Sequence, residues 1–354
     1  MIAAIRASCL AALTLAFATH AVPVSPGAQS AGGAIVSEHP ANRPGEISLL
    51  TYNVAALPWP IANRTDALNA IAARLKALRR SGAAPQIVVV QEAFTDEAQA
   101  IGHAAGYRYQ AIGPGPDDAR PKVALAADFV RDRTWYRAEK SDPTLDSGLA
   151  IFSDFPILAT RSVPFAACAG IDCAANKGVL IAAIKVPGLP EPIEVATTHL
   201  NSRAASLTSP ERNLYAYRAQ LDAIDTALAA SGSKHVRLFA GDFNVHSPDR
   251  LAALEAHSRR WQVRPATAMG MIRLPASYCG VPGETSCGYE LPIASNLPLG
   301  DATDWQFFAG NRTTDIRPLR RVQLFGRDTN GAMLSDHIGY SVIYRLSPRS
   351  APIA

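Results

Sequence analysis

The chain of 354 residues has no long apolar run, no strong excess of either charge and only five cysteines, and each absence excludes something. The N-terminal apolar stretch from Cys9 to Ala18 is too short for a membrane span, which takes about 20 apolar residues. With Arg6 before it and small residues in AFA and ATHA after it, residues 1–21 read as a secretory signal, cut near Ala18 or Ala21. Cys9 has no lipobox-like setting, which argues against a lipid anchor. Lysine and arginine total 34 against 30 aspartates and glutamates, so the net charge is +4. That is no electrostatic footprint for tight nucleic-acid binding. The paired arginines Arg79-Arg80, Arg259-Arg260 and Arg320-Arg321 read as solvated faces, the last pair just ahead of a strand. No internal repeat is visible.

Beyond the signal four cysteines remain, Cys168, Cys173, Cys279 and Cys287, an even number that predicts two disulfides in an oxidising compartment. Three pairings are open to four cysteines, and the close spacing favours Cys168–Cys173 and Cys279–Cys287. CAGIDC and CGVPGETSC lack zinc-ligand spacing and have no accompanying histidine pair, which argues against a zinc site.

Residues 22–46, rich in Pro, Gly, Ala and Ser, are expected to form a disordered leader. One domain over 47–346 and a tail over 347–354 follow. Apolar runs predict strands at 47–54, 87–91, 107–112, 122–130, 148–152, 156–164, 179–186, 192–199, 235–241, 304–308, 319–325 and 338–345. Helical spacing predicts a helix at 65–80, capped by Thr65 and apolar at Leu68, Ile71, Ala72, Leu75 and Leu78. A second helix over about 210–230 opens on Ser209-Pro210-Glu211 and lines up Leu214, Tyr217, Leu221, Ile224 and Leu228. The stretches 113–121 and 265–303 read as loop-rich rims. Many strands and few helices suggest an α/β fold with sheet packed on sheet and helices outside.

Several strands end in a group that can do chemistry. TYNV supplies Asn53, VVVQEAF supplies Glu92, VATTHLNS supplies His199, and DATDWQFF and MLSDHIGYSV supply Asp304, Asp336 and His337. In HVRLFAGDFNVH, a strand persisting past Gly241 would put Asp242, Asn244 and His246 on one face and Phe243 and Val245 on the other. Such groups converging on one rim are costly unless a cation and an anionic ligand neutralise them. Carboxylate and amide oxygens without thiolates suit a hard cation, Mg²⁺ first and Mn²⁺ or Ca²⁺ as relatives. The implied chemistry is phosphate-ester hydrolysis, with a His or an Asp activating water.

The ordered set TYNV, QEAF, SGLAIFSDFPI, THLNS, GDFN, TDWQFF and SDHIGY resembles the endonuclease/exonuclease/phosphatase superfamily, with its deoxyribonuclease I-like fold, over most of residues 47–345. The resemblance implies a four-layer α-β-β-α sandwich of two packed mixed β-sheets flanked by helices. It implies Glu92 as metal carboxylate supported by Asn53, with Asp336 next to the metal or the water. Asp242 would orient or deprotonate water, Asn244 would hold the phosphate, and His199 would stabilise the transition state. His337, oriented by Asp304, would be the general acid/base. Which of His337 and Asp242 is the base stays open, and His246 matches no family role.

TYNVAALPWP and the Asn176-Lys177-Gly178 of CAGIDCAANKG are similar to neutral sphingomyelinases, which implies a phospholipid or another phosphodiester as substrate, with Asp172 and Lys177 at a phosphocholine phosphate. A secreted or periplasmic monomer is expected. Peripheral membrane contact would fall to Trp59, to the PFAAC loop at 164–168 or to the stretch Met269 to Leu299. A secreted endonuclease acting on nucleic acid is the alternative.

Overall fold

The structure is a computed structural model that describes residues 43–58, 62–203, 205–232, 234–270, 289–291, 302–328 and 331–349. Its strands are β1 (Glu46–Ala56), β2 (Ile87–Ala93), β3 (Tyr109–Ile112), β4 (Ala150–Ser153), β5 (Ile157–Pro164), β6 (Gly178–Ile184) and β7 (Ile193–His199). They continue with β8 (Arg237–Asp242), β9 (Arg264–Gly270), β10 (Tyr289–Leu291), β11 (Ala302–Ala309), β12 (Thr314–Phe325) and β13 (Gly339–Pro348). A seven-stranded sheet runs β10-β12-β13-β1-β2-β4-β3, and a six-stranded one runs β5-β6-β7-β8-β11-β9. Each is mixed, because β1 pairs β2 in parallel and β7 pairs β8 in parallel among otherwise antiparallel neighbours.

Period-two alternation divides the core into three layers. In β1, Ile47 and Leu49 face the opposite sheet while Leu50, Tyr52 and Val54 face outward. Helix Thr65–Arg80 covers that outer face with Leu68, Ile71, Ala72, Leu75 and Leu78, as its spacing predicts. Helix Pro210–Ala229 covers the other sheet with Tyr217, Leu221, Ile224 and Leu228, joined by Leu254 of helix Pro248–Arg260 and by Trp261. The four-layer α-β-β-α sandwich is therefore the observed architecture.

The departures have local causes. Residues 122–126 form no strand and Ala127–Arg131 is a short helix, because the middle of the stretch, Ala124 to Ala127, is alanine and leucine and β-branched residues stand only toward its ends. Thr65 is the first helical residue rather than the cap; Arg64 takes the cap position without a side-chain bond. Helix Pro248–Arg260 opens on Ser247, whose hydroxyl accepts from Arg250 N, in the Ser-Pro-acid pattern that also starts the helix at Pro210. Strands β9 and β10 fall inside the expected loop 265–303, and β13 runs to Pro348, paired with Thr314, so order reaches past residue 346. Strand β1 starts at Glu46, one residue before the expected 47. Arg320 and Arg321 lie within β12, and Arg321 is buried rather than solvated. Arg79 is engaged too, bonded to Asp154 at 2.8 Å and stacked over Tyr107.

The disulfide Cys168–Cys173 is formed. Cys279, Cys287, Trp59 and the leader up to residue 42 lie outside the described residues. Among the described residues no helix is long and apolar enough to cross a membrane.

Candidate active site

The inner faces of the strands change character along their length. Reading toward one end of the sandwich, β1 runs Ile47, Leu49, Thr51, Asn53, and β7 runs Ile193, Val195, Thr197, His199. β8 runs Leu238, Ala240, Asp242, and the antiparallel β11, taken backward, runs Phe308, Gln306, Asp304. The layer between the sheets thus passes from aliphatic, through an amide and hydroxyl tier, to ionisable groups at the mouth. The middle tier ties the sheets together: Gln91 Nε2 donates to Thr197 Oγ1 at 3.0 Å and Gln306 Nε2 to the Leu49 carbonyl at 3.1 Å. Strand register then aligns the mouth, pairing His199 with Asp242 and Asp242 with Asp304 across three neighbouring strands. Gly241 allows this approach, since a Cβ there would sit 2.2 Å from the Thr198 carbonyl of β7.

Asn53 bridges two of the acids, its Nδ2 donating to Glu92 Oε1 at 3.0 Å and to Asp242 Oδ2 at 3.1 Å. Glu92 reaches it from a backbone with φ of 55°, a conformation that costs about 1–3 kcal/mol and persists only when its surroundings over-determine it. Ser335 Oγ donates to the Asn53 carbonyl at 2.6 Å and fixes the turn carrying Asp336 and His337. His337 Nδ1 lies 2.7 Å from Asp304 Oδ2, and its Nε2 lies 3.7 Å from Asp242 Oδ2. His199 Nε2 lies 3.6 Å from Asp242, 4.0 Å from Glu92 and 3.2 Å from the Lys177 ammonium.

The strand does not continue past Asp242. Asn244 has φ of 49°, so the expected sharing of a face by Asp242, Asn244 and His246 fails as strand geometry. Asn244 still reaches the site by a tight turn, in which its backbone N–H donates to Asp242 Oδ1 at 2.9 Å and its Nδ2 to the Leu200 carbonyl at 3.0 Å. His246 Nε2 lies 3.2 Å from Asn244 Oδ1. Phe243 and Val245 are buried in the helix-side core, as expected.

Lys177 Nζ is held 3.2 Å from Asp172 Oδ2, and Asp172 also accepts from Ser202 N, so Asp172 is a buried partner of Lys177. In the PFAAC loop Phe165 is buried in the core and Ala167 and Cys168 are covered, so the loop presents no exposed apolar side chain. A residue missed in the sequence is Arg250. Its buried guanidinium donates to the carbonyls of Asn201 at 2.7 Å, Asn244 at 2.8 Å and Ser202 at 3.3 Å, and to Asn213 Oδ1 at 2.8 Å. Only its place in the first turn of the helix that follows GDFN hinted at this.

The electrostatics report crowded negative charge. Burial and the nearby Asp336 raise the Glu92 carboxyl above its ordinary range. Burial also raises Asp242, His337 opposing and Asp304 adding to the shift. Burial disfavours the His337 imidazolium, but Asp304, Asp242 and Asp336 outweigh it and hold the ring protonated. Burial, Lys177 and His337 push His199 well below its usual value, so it is neutral. Two like charges about 4 Å apart repel by on the order of 4 kcal/mol near a protein surface, which a divalent cation would offset. Glu92, His199 and Asp242 can present donor atoms to one point, and the prevailing donors are hard oxygens. The arrangement therefore fits a hard divalent cation beside an activated water.

Two packed mixed sheets with a carboxylate-lined mouth and two histidines define a phosphate-ester hydrolase. The Endonuclease/Exonuclease/phosphatase family model matches residues 50–337, and the chain belongs to that family of metal-dependent phosphoric ester hydrolases. Among solved structures, the chain is similar to beta toxin from Staphylococcus aureus, at 18% identity and a TM-score of 0.56, covering 84% of this chain and 99% of that one. Sphingomyelinase C from Streptomyces griseocarneus gives 21% identity and a TM-score of 0.52, over 84% of this chain and 98% of that one. D. rerio TDP2, complexed with a single-strand DNA product, gives 15% identity and a TM-score of 0.51, over 84% of this chain and 98% of that one. At these identities the likenesses speak for the fold. No curated protein sequence matches the chain.

Proposed function

We propose that the chain is an exported, Mg²⁺-dependent phosphodiesterase of sphingomyelinase type, releasing phosphocholine from a choline phospholipid. The observation that carries the hydrolytic part is the ring of Glu92, Asp242, Asp304 and Asp336 around two histidines. In this reading Glu92 and Asp336, steadied by Asn53, hold the cation, which when bound stabilises charge developing on the phosphate. Lys177 and Asn244 take phosphate oxygens, Asp172 holds Lys177 in place, and neutral His199, whose Nε2 accepts from the Lys177 ammonium, stabilises the pentacoordinate centre through that cation.

His337 and Asp242 lie 3.7 Å apart, too close to stand on opposite sides of a phosphorus, so both serve the attacking water. Asp304 keeps His337 protonated, which leaves Asp242 to accept the proton. The water oxygen bonds to phosphorus, the phosphorus–oxygen bond to the lipid alcohol breaks, and the departing oxygen is protonated from solvent. The N-terminal signal pattern and the Cys168–Cys173 disulfide support export. The lipid substrate is supported by the TYNVAALPWP and Asn176-Lys177-Gly178 motifs together with the likeness to sphingomyelinase C.

The test is phosphocholine release from detergent-dispersed sphingomyelin with Mg²⁺, with EDTA and His337→Ala as controls, beside nicking of plasmid DNA. Release abolished by both controls, without comparable nicking, is expected. Nicking without release would replace the lipid reading with that of a secreted endonuclease.

A further inference from the structure

Between Gly115 and Asp146 the chain leaves the sandwich and returns, and the mechanism uses nothing in this excursion. Its turn Trp135–Arg137 exposes two aromatic rings, Trp135 at 60% and Tyr136 at 49%. The rings meet edge to face at 6.0 Å, and the Arg137 guanidinium lies 5.1 Å from the Tyr136 ring centre. Val123 and Val130 are exposed as well. The rings stand on a firm base. Glu139 Oε2 accepts from Thr134 N at 2.7 Å and from Thr134 Oγ1 at 3.0 Å, while its Oε1 accepts from Gly170 N at 2.9 Å and from Arg212 Nε at 2.6 Å.

Residues on both sides of this turn, Arg133 before it and Glu139 and Lys140 after it, line a cavity of about 350 Å³ whose other charged groups are Arg120, Lys122 and Asp142. Glu139 is already matched by Arg212. Among the described residues Lys122, Arg133 and Lys140 make no ion pair, which leaves the cavity with more positive than negative charge. Burial and then the Arg133 charge lower Arg120 to about 10, with Asp142 opposing the shift. Cations in a recess, beside an exposed indole and phenol, match the chemistry of a membrane interface. Amphipathic rings settle at headgroup level there, and basic groups meet anionic lipid.

We propose that the face formed by Lys122, Arg133, Trp135, Tyr136 and Lys140 docks the enzyme on an anionic phospholipid surface. The two rings enter the headgroup layer, and the recess takes a lipid phosphate. The proposal rests on the phospholipid reading above and adds how the enzyme is held on its substrate. The face is joined to the active site: Cys168 lines the recess, Ala138 packs on the Cys168–Cys173 turn, and Asp172 in that turn holds Lys177 beside His199.

The test is flotation of the full chain with phosphatidylcholine vesicles with and without phosphatidylglycerol, in EDTA so that the lipid stays intact. Two variants are compared, Trp135→Ala with Tyr136→Ala, and Lys122→Glu with Lys140→Glu. Binding that requires phosphatidylglycerol, weakens with salt and falls at least about tenfold in each variant is expected. Both variants should hydrolyse a soluble phosphodiester at the wild-type rate, which certifies their fold. Wild-type chain that ignores phosphatidylglycerol, or variants that bind like wild type, would overturn the proposal. Release of phosphocholine from detergent-dispersed sphingomyelin is scored separately. Its absence beside intact docking removes the substrate reading alone, and its presence without docking removes the docking face alone.

Discussion

Arg250 lies outside the ionisable cluster, yet replacing it should damage the site. Its guanidinium, buried and pushed down to about 10 by that burial, has no carboxylate partner and satisfies acceptors on three segments. Those segments are the chain just after β7 at Asn201 and Ser202, the GDFN turn at Asn244, and helix Pro210–Ala229 at Asn213. Arg250→Ala would strand acceptors at about 1–3 kcal/mol each, offset in part by releasing a charge that was costly to bury. A net loss of about 3 kcal/mol follows, or about 5 °C in Tm for a domain of about 300 residues at about 2.1 cal/mol/K each. Because Asn244 and His199 flank these carbonyls, turnover should fall by about 10- to 100-fold. Arg250→Lys should recover little, since one ammonium cannot span acceptors on three segments. Thermal unfolding by circular dichroism and steady-state phosphodiester kinetics measure both effects. Arg250→Ala melting within about a degree of wild type, with unchanged kcat, would refute the reasoning.

Other outcomes follow from single contacts. His337 titrates above its ordinary value because of Asp304, so its ion pair adds stability that is complete below the unfolded histidine pKa and is lost as pH rises through the folded one. Asp304→Asn should move the His337 titration down in pH, read by NMR of the ring in metal-free protein, and an unmoved titration would contradict the pairing. Glu139 runs the other way. Burial raises its carboxyl, but bonds from Gly170, Arg212 and Thr134 outweigh this and lower it, so its contribution is present above the ordinary glutamate pKa and lost as pH falls. Glu139→Gln should therefore narrow its stability gap from wild type in acid unfolding curves. Gly241→Ala places a methyl 2.2 Å from the Thr198 carbonyl and should cost at least about 1–3 kcal/mol in denaturant unfolding, and a smaller cost would show that β7 and β8 can separate.

Much of this architecture is legible in the sequence because the strands are amphipathic in a particular way. Ile47-Leu49-Thr51-Asn53 and Ile193-Val195-Thr197-His199 each state a dry core, a polar tier and a chemical mouth at a spacing of two. Two helices were legible by spacing, and helix Pro248–Arg260 carries the same Ser-Pro-acid start but a weaker apolar stripe, with Leu254 its one fully buried aliphatic residue. What resisted reading depends on contacts distant in sequence. Nothing near Arg250 announces that its partners lie at Asn201 and Asn213, and the bend at Asn244 depends on the Leu200 carbonyl. Asp172 and Lys177 are neighbours in CAGIDCAANKG, but their buried ion pair is visible only in the fold. The exposure of Trp135 and Tyr136 could not be read from composition, because burial is a property of the turn that Glu139 anchors.

The central claim is that one carboxylate-lined mouth carries out metal-assisted phosphodiester hydrolysis. The direct measurement is turnover of a soluble phosphodiester by EDTA-treated protein as Mg²⁺ is added back, in wild type and in Glu92→Gln. No turnover without metal, full recovery in wild type, and in Glu92→Gln a loss of turnover that only much higher Mg²⁺ relieves are expected. Turnover indifferent to EDTA, or a Glu92→Gln protein with the wild-type Mg²⁺ response, would contradict it.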